Sequence, residues 1–252
     1  MAANASFQLC GIYLDEDANS SSILAQLNEI NGVEATGTIS YTAATGVLTL
    51  ENVTITDAAS SNRLLIVYPG SHSTIRLIGT NVIKSTKDAY LNGVEVRCNP
   101  TDTLHITGEG SLEISVVKWY PFSMQGGCVS IDSTTVKATS EQMYYGLSNS
   151  SSAQGSLVVN KSTVTTCNIT VKAIELNDCE IVQPVGAEVA LDGSYYVDKK
   201  GSKDDIVIKP IGVPTAIDNT IVCEKATKRI VSGQFVIEKN GKFDNATDAE
   251  VK

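Results

Sequence analysis

Leu48-Thr-Leu-Glu-Asn-Val-Thr-Ile55 decides the fold. Leu48 and Leu50 flank one polar residue, so both side chains lie on one face of a strand. Glu51-Asn52 breaks the alternation with a turn-tolerant residue, and Val53 and Ile55 start it again. The pattern returns in Ile75-Arg-Leu-Ile-Gly-Thr-Asn-Val-Ile83 and in Val129-Ser-Ile-Asp-Ser-Thr-Thr-Val136. The pairs Leu104/Ile106, Leu157/Val159 and Ile174/Leu176, followed by Leu112, Val164 and Ile181, repeat it. The second members of the pairs, Leu50, Leu77, Ile106, Ile131, Val159 and Leu176, are 27, 29, 25, 28 and 17 residues apart. Val, Ile and Thr favour strands, and helical periodicity is nearly absent. A repeat near 25 residues predicts an all-β parallel β-helix, a solenoid in which each repeat is one coil. A β-sandwich also alternates, but it does not match positions at that period. The six residues are expected to stack in one interior column at about 5 Å steps. The short last interval makes Leu176 its weakest member. Cys98 and Cys128 lie 21 and 22 residues after Leu77 and Ile106, which predicts neighbours on adjacent coils.

A solenoid needs covered ends. Residues 1–45 read as an N-terminal cap, with a strand from Phe7 to Tyr13. Ser22 is the expected N-cap of a short helix burying Ile23, Leu24, Leu27 and Ile30. The β-helix is expected over 46–210. Its last part, 187–209, reads as a hairpin that pairs Tyr195-Tyr196-Val197 with Ile206-Val207-Ile208. Pro210, Gly212 and Pro214 mark a linker, and 221–252 a separate β tail.

The chain carries 19 Lys and Arg against 28 Asp and Glu, a net charge of −9. Nucleic acid is therefore not an expected partner, since that footprint needs clustered cations. No apolar run reaches the roughly 18–20 residues of a membrane span. Six Cys without a C-x-x-C pair, and only His72 and His105 beside them, argue against zinc. The even Cys count leaves the redox compartment open. Met1-Ala2-Ala3-Asn4 lacks a basic segment followed by an apolar one, so no signal peptide is expected in this chain.

Aromatic residues recur at one offset from the column. Tyr90 follows Leu77 by 13, Tyr120 follows Ile106 by 14, and Tyr144 and Tyr145 follow Ile131 by 13 and 14. Trp119 and Phe122 flank Tyr120, and Arg63 holds the same offset after Leu50. Facing outward, these side chains form a strip on which sugar C–H faces pack, with Arg63, Lys118 and Gln142 donating to hydroxyls or carboxylates. Facing inward, they stabilise the sheet and nothing more. Asp15, Asp17 and Asn19 supply hard oxygens suited to Ca²⁺, without the Gly and Glu that complete an EF-hand loop; the alternative is a solvated cap loop. No other cofactor is expected. The motifs of a polygalacturonase-like hydrolase are missing, as is a Gly-x-Ser-x-Gly elbow. Glu95, Glu109, Glu113, Asp132 and Glu180 hold different ladder positions, so no acid pair converges.

The runs Gly37-Thr-Ile-Ser-Tyr41, Thr45 to Ile55 and Thr74-Ile-Arg-Leu-Ile-Gly-Thr-Asn81 resemble the right-handed β-helix carbohydrate-binding-domain proteins of Bacteroides-like bacteria. The resemblance covers residues 7–210. The tail Lys228 to Asn245 is similar to type IX sorting modules, with Asp248 where such tails carry Gly. The resemblance implies a right-handed coil, secretion or display on the outer cell surface, and a glycan partner; it carries over no defined binding residue. The expected function is thus non-catalytic carbohydrate binding. The alternatives are a surface adhesin or structural protein with protein partners, and a polysaccharide lyase.

Overall fold

The computed structural model describes residues 6–14, 16–58, 64–68, 73–97, 99–142, 146–149, 155–191, 195–212, 227–231, 234–239 and 242–245. Asp15, Arg63, His72, Cys98, Tyr144 and Tyr145 lie outside the described residues, and with them the Cys98–Cys128 pair. The chain divides into two compact units, 1–211 and 212–252.

The first unit is a β-solenoid of about four turns. It opens with β1 (Ser6–Leu9), β2 (Ile12–Leu14), helix α1 (Ser20–Glu29) and β3 (Val33–Thr42). The long β4 (Val47–Asp57) and then β5 (Leu65–Tyr68) lead into the coils. Each coil has three strands. The first has β6 (Ser73–Ile78), β7 (Thr80–Ser85) and β8 (Val94–Val96); the second has β9 (Thr103–Thr107), β10 (Ser111–Val116) and β11 (Phe122–Met124). The third has β12 (Cys128–Asp132), β13 (Thr135–Ser140) and β14 (Leu147–Asn149); the fourth has β15 (Ser156–Asn160), β16 (Thr163–Thr166) and β17 (Ile169–Val171). The unit closes with β18 (Ala173–Asn177), β19 (Cys179–Gln183), β20 (Glu188–Leu191), β21 (Tyr195–Asp198) and β22 (Ile206–Pro210). The second unit contains β23 (Thr227–Val231), β24 (Gln234–Lys239) and β25 (Lys242–Asn245), paired antiparallel in that order.

Stacked strands make three parallel faces. The first runs through β4, β6, β9, β12, β15 and β18, and the second through β4, β7, β10, β13 and β16. The third runs through β5, β8, β11, β14 and β17. Alternate residues point inward, and Leu48, Ile75, Ile106, Ile131 and Val159 are fully buried. A left-handed residue turns the chain from the first face to the second in every coil: Asn52, Gly79, Gly108, Ser133, Lys161 and Asp178, at φ of 50°, 64°, 125°, 52°, 45° and 51°. Small polar side chains serve the backbone at this corner. Asn81 Oδ1 accepts from the Val53 N–H at 3.0 Å, Ser162 Oγ from the Thr134 N–H at 3.1 Å and Cys179 Sγ from the Ser162 N–H at 3.4 Å. Each satisfies a donor that burial would otherwise leave unpaired.

The expected column breaks, but at a different place. Leu50 pairs with Leu77, while Ile106 pairs with Ile75 and then continues through Ile131, Val159 and Leu176. The slip between Leu77 and Ile106 is two residues, which preserves the inward face where a slip of one would invert it. The second set slips likewise: Ile83 pairs with Ile114, not with Leu112. Its last member also departs, because Val164 meets Ile208 of an antiparallel strand rather than Ile181.

Antiparallel strands cover the ends. At the start β3 lies along β4 and β1 along β5. At the finish β21 pairs with β17 and β22 inserts between β16 and β19. The expected hairpin of Tyr195–Val197 with Ile206–Ile208 is therefore not formed; the two strands extend different faces. The N-cap of α1 is Asn19, not Ser22: Asn19 Oδ1 accepts from the Ser22 N–H at 3.2 Å, while the Ser22 hydroxyl donates to the Asn19 carbonyl at 3.0 Å. Ile23 and Leu27 are the buried stripe of this helix.

Candidate functional site

The corner between the second and third faces holds the rings of Tyr90, Trp119 and Tyr120. Two adjacent coils reach it through 86–93 and 117–121. Tyr90 forms a parallel bridge with Lys118, and the Gly93 N–H donates to the Tyr120 carbonyl at 3.0 Å. The Tyr90 ring stands 5.4 Å from Trp119 at 90°, and Trp119 stands 5.1 Å from Tyr120 at 74°. These are edge-to-face contacts, the favoured geometry for rings with a negative face and a positive edge. Tyr90 is 65% exposed, and Trp119 and Tyr120 are half-buried. Lys118 Nζ pairs with Asp88 at 2.7 Å and lies 5.6 Å from the Tyr90 centroid. The hydrogen bond to Asp88 raises the Lys118 ammonium above its ordinary range. The corner thus presents apolar ring surface beside a fixed pair of opposite charges.

Trp119 adopts φ 83°, a backbone region that costs a bulky residue about 1–3 kcal/mol. The surrounding bonds hold it there. Val117 O accepts from the Gln142 N–H of the next coil at 3.0 Å, and Pro121 O accepts from the Val94 N–H at 2.9 Å. Trp119→Gly is therefore expected to be more stable than Trp119→Ala by about 1 kcal/mol, reversing the usual order of these residues. Urea midpoints of the two variants check this; an alanine variant as stable as the glycine one contradicts the strain.

Phe122 is a correction to the expected strip. It begins β11, pairs with Val94 and Leu147, and is fully buried. Inward parity makes it a wall of the core, closed to a ligand. Gln142 is exposed on the next coil.

The third face carries a polar cluster around Glu95, which the sequence reading named only as a separate carboxylate. Glu95 opposes Ile66 and Ser123 on the third face and is fully buried. Its carboxylate accepts from Asn92 Nδ2 at 3.2 Å, Arg97 Nε at 2.8 Å and Gln125 Nε2. Arg97 also donates to the Tyr68 hydroxyl at 3.3 Å, and its guanidinium lies 5.6 Å from the Tyr68 centroid. The hydrogen bond to Glu95 raises Arg97 further above its ordinary range, so it stays charged. Ser123 Oγ and Asn92 Oδ1 are buried without a hydrogen-bond partner among the described residues.

The acidic loop before α1 is put to other use. Asp17 Oδ1 accepts from the Ala43 N–H at 2.7 Å, and Asn19 caps the helix. Among the described residues no group of three or more His, Cys, Asp or Glu is placed to hold a metal. On the first face, Asp132 accepts from the Ser130 hydroxyl at 2.8 Å, from Asn160 and from His105 Nδ1 at 3.4 Å. Ser130 therefore turns to the carboxylate instead of the imidazole, and the three do not form a nucleophile–base relay. Glu113 pairs with Lys137 at 2.9 Å on the second face, apart from Asp132 on the first and Glu95 on the third.

No helix among the described residues is long and apolar enough to cross a membrane. No protein-family model, curated protein or solved structure matches the chain.

Proposed function

We propose that the chain is a non-catalytic carbohydrate-binding β-solenoid that works outside the cell, and that Tyr90, Trp119 and Tyr120 contact the glycan. The observation that carries this reading is the ring cluster itself. Three aromatic side chains from two adjacent coils meet at one corner, one of them mostly exposed, with Lys118 and Asp88 beside them. Sugar rings expose C–H faces that pack on such surfaces, and their hydroxyls both donate to Asp88 and accept from Lys118. The strained backbone of Trp119 supports the reading, since such strain concentrates where binding repays it. Scattered carboxylates, each with its own partner, support binding over hydrolysis or elimination. Binding without added Ca²⁺ is part of the proposal.

A glycan array probed with the intact chain, with Ca²⁺ and with chelator, tests it. The expected result is retention of at least one polysaccharide class under both conditions. The Tyr90→Ala/Trp119→Ala variant is expected to weaken that retention at least about tenfold, a loss of 1.4 kcal/mol. A folded double variant that binds as the parent does moves the site elsewhere, and an array without any retained glycan removes the function.

One observation favours a second reading, a surface adhesin or structural protein with protein partners. Strand β18 pairs only with β15 among the described strands, and its inward Ile174 and Leu176 are half-buried where their counterparts in earlier coils are fully buried. An open edge of this kind accepts an added strand. Charged substitutions at Ile174 and Leu176 that abolish partner capture while leaving the array unchanged would favour it.

A further inference from the structure

The end of the solenoid carries a second concave site, independent of the ring cluster. Because β21 extends the third face and β22 the second, the turn joining them, Lys199-Lys200-Gly201-Ser202-Lys203, is drawn toward the Cys167-Asn168 corner between β16 and β17. Cys167, Asn168, Lys199, Ser202 and Lys203 line a cleft of about 230 Å³ there.

The polar groups of this cleft divide by what they have left to offer. Lys199 Nζ donates one hydrogen bond, to the Cys167 carbonyl at 3.2 Å, and keeps two protons. Lys203 has no hydrogen bond or ion pair among the described residues. Asn168 Oδ1 accepts from the Ile169 N–H at 3.0 Å, which leaves the amide NH₂ as its remaining donor. The Ser202 hydroxyl is committed to Asp204, donating at 3.0 Å and accepting from its N–H at 3.0 Å. Lys200 is drawn away to Glu188 and to Asp198 at 3.0 Å. The uncommitted groups are therefore two ammoniums and an amide donor. Two carboxylates stand nearby: Asp204 is held by Ser202, and Asp205 lies near the thiol wall, where burial raises the Cys167 thiol and Asp205 adds to that effect while Lys199 opposes it. The donors that line the cleft, two ammoniums and an amide, suit an anionic occupant.

We propose that this cleft binds the carboxylate of a small acid such as a single uronic acid ring. Lys199 and Lys203 flank the carboxylate, and Asn168 donates to the same group or to a neighbouring hydroxyl. The volume, below the roughly 300–1,000 Å³ of pockets for drug-sized ligands, suits a single ring.

The test is a titration of the intact ¹⁵N-labelled chain with sodium D-galacturonate, against D-galactose and sodium chloride at matched ionic strength. Saturable amide shifts confined to 167–169 and 199–203 are expected with galacturonate and with neither control. Lys203→Met is expected to weaken binding at least about tenfold, as the loss of one charge-assisted hydrogen bond implies. Lys200→Met, which removes the same charge from a side chain pointing elsewhere, is expected to leave it unchanged. Equal shifts with galactose, no saturable shift at the cleft, or equal losses in the two lysine variants would each overturn the proposal. Ring-cluster binding is read on the glycan array with these two lysine variants, so failure of one site is distinguishable from failure of the other.

Discussion

Gly108→Ala is expected to cost at least about 4 kcal/mol, the tail of single-substitution effects that marks a defined steric cause. A Cβ at this position falls 2.1 Å from the Leu77 carbonyl oxygen and 2.8 Å from the Leu77 nitrogen. Both are backbone atoms of the coil beside it, held by the stacked ladder, so neither can swing away as a side chain does. The residue also sits at φ 125°, closed to L side chains. Gly186→Ala separates the two causes. Gly186 has φ 80°, but a Cβ there meets nothing within 4 Å. Its replacement is expected to cost only the conformational part, about 1–2 kcal/mol. Urea midpoints at unchanged slope measure both. A Gly108→Ala variant within about 1 kcal/mol of Gly186→Ala would show that the second coil does not press on Leu77.

Arg97→Met carries the second large effect, a loss of about 3 kcal/mol. Glu95 is fully buried, and Arg97 Nε is a charged partner at 2.8 Å. Removing that partner takes a charged donor away from a carboxylate held out of water, which keeps its Asn92 and Gln125 donors. The Arg97 side chain is 32% exposed, which places the loss at the lower end of the range for buried pairs. In a Glu95→Gln background the same substitution is expected to cost under about 1 kcal/mol, because no buried charge remains. The new amide also finds a partner: Asn92 Oδ1, without one among the described residues, accepts from it once the Asn92 side chain turns over. A double-mutant cycle on thermal or urea unfolding gives the coupling. Equal losses of Arg97→Met in both backgrounds would contradict the assignment of Arg97 to the Glu95 charge.

The faces of the strands were legible in the sequence because alternation fixes side. The register was legible only in part. On β6 the inward residues are Ser73, Ile75 and Leu77, and on β9 they are Leu104 and Ile106. Matching apolar pairs sets Leu77 against Ile106. The backbone instead sets Ser73 against Leu104, because a small polar residue fits inside, and lets Leu77 run out against Gly108. Asn81, opposite Leu112, hides the slip on the second face in the same way. Antiparallel closure at the end was not legible either, since Tyr195–Asp198 and Ile206–Pro210 carry the same alternation whether they pair with each other or with separate faces.

The ring corner was half legible. Offsets from the column brought Tyr90 and Tyr120 to one corner, yet the bridge partner of Tyr90 is Lys118, and Trp119 does the joining. An offset also says nothing of parity, which is why Phe122 read as a surface ring. The Glu95 cluster and the lysine cleft depend on contacts between coils and on the final fold-back, and no spacing in the chain announces them.

Trp119 is the single tryptophan of the chain, so its fluorescence reports directly on the proposed glycan contact. An oligosaccharide selected on the array, titrated into the intact protein, is predicted to change Trp119 emission saturably, with the same midpoint as calorimetric binding. Calorimetric binding of that oligosaccharide with Trp119 emission unmoved would contradict the account.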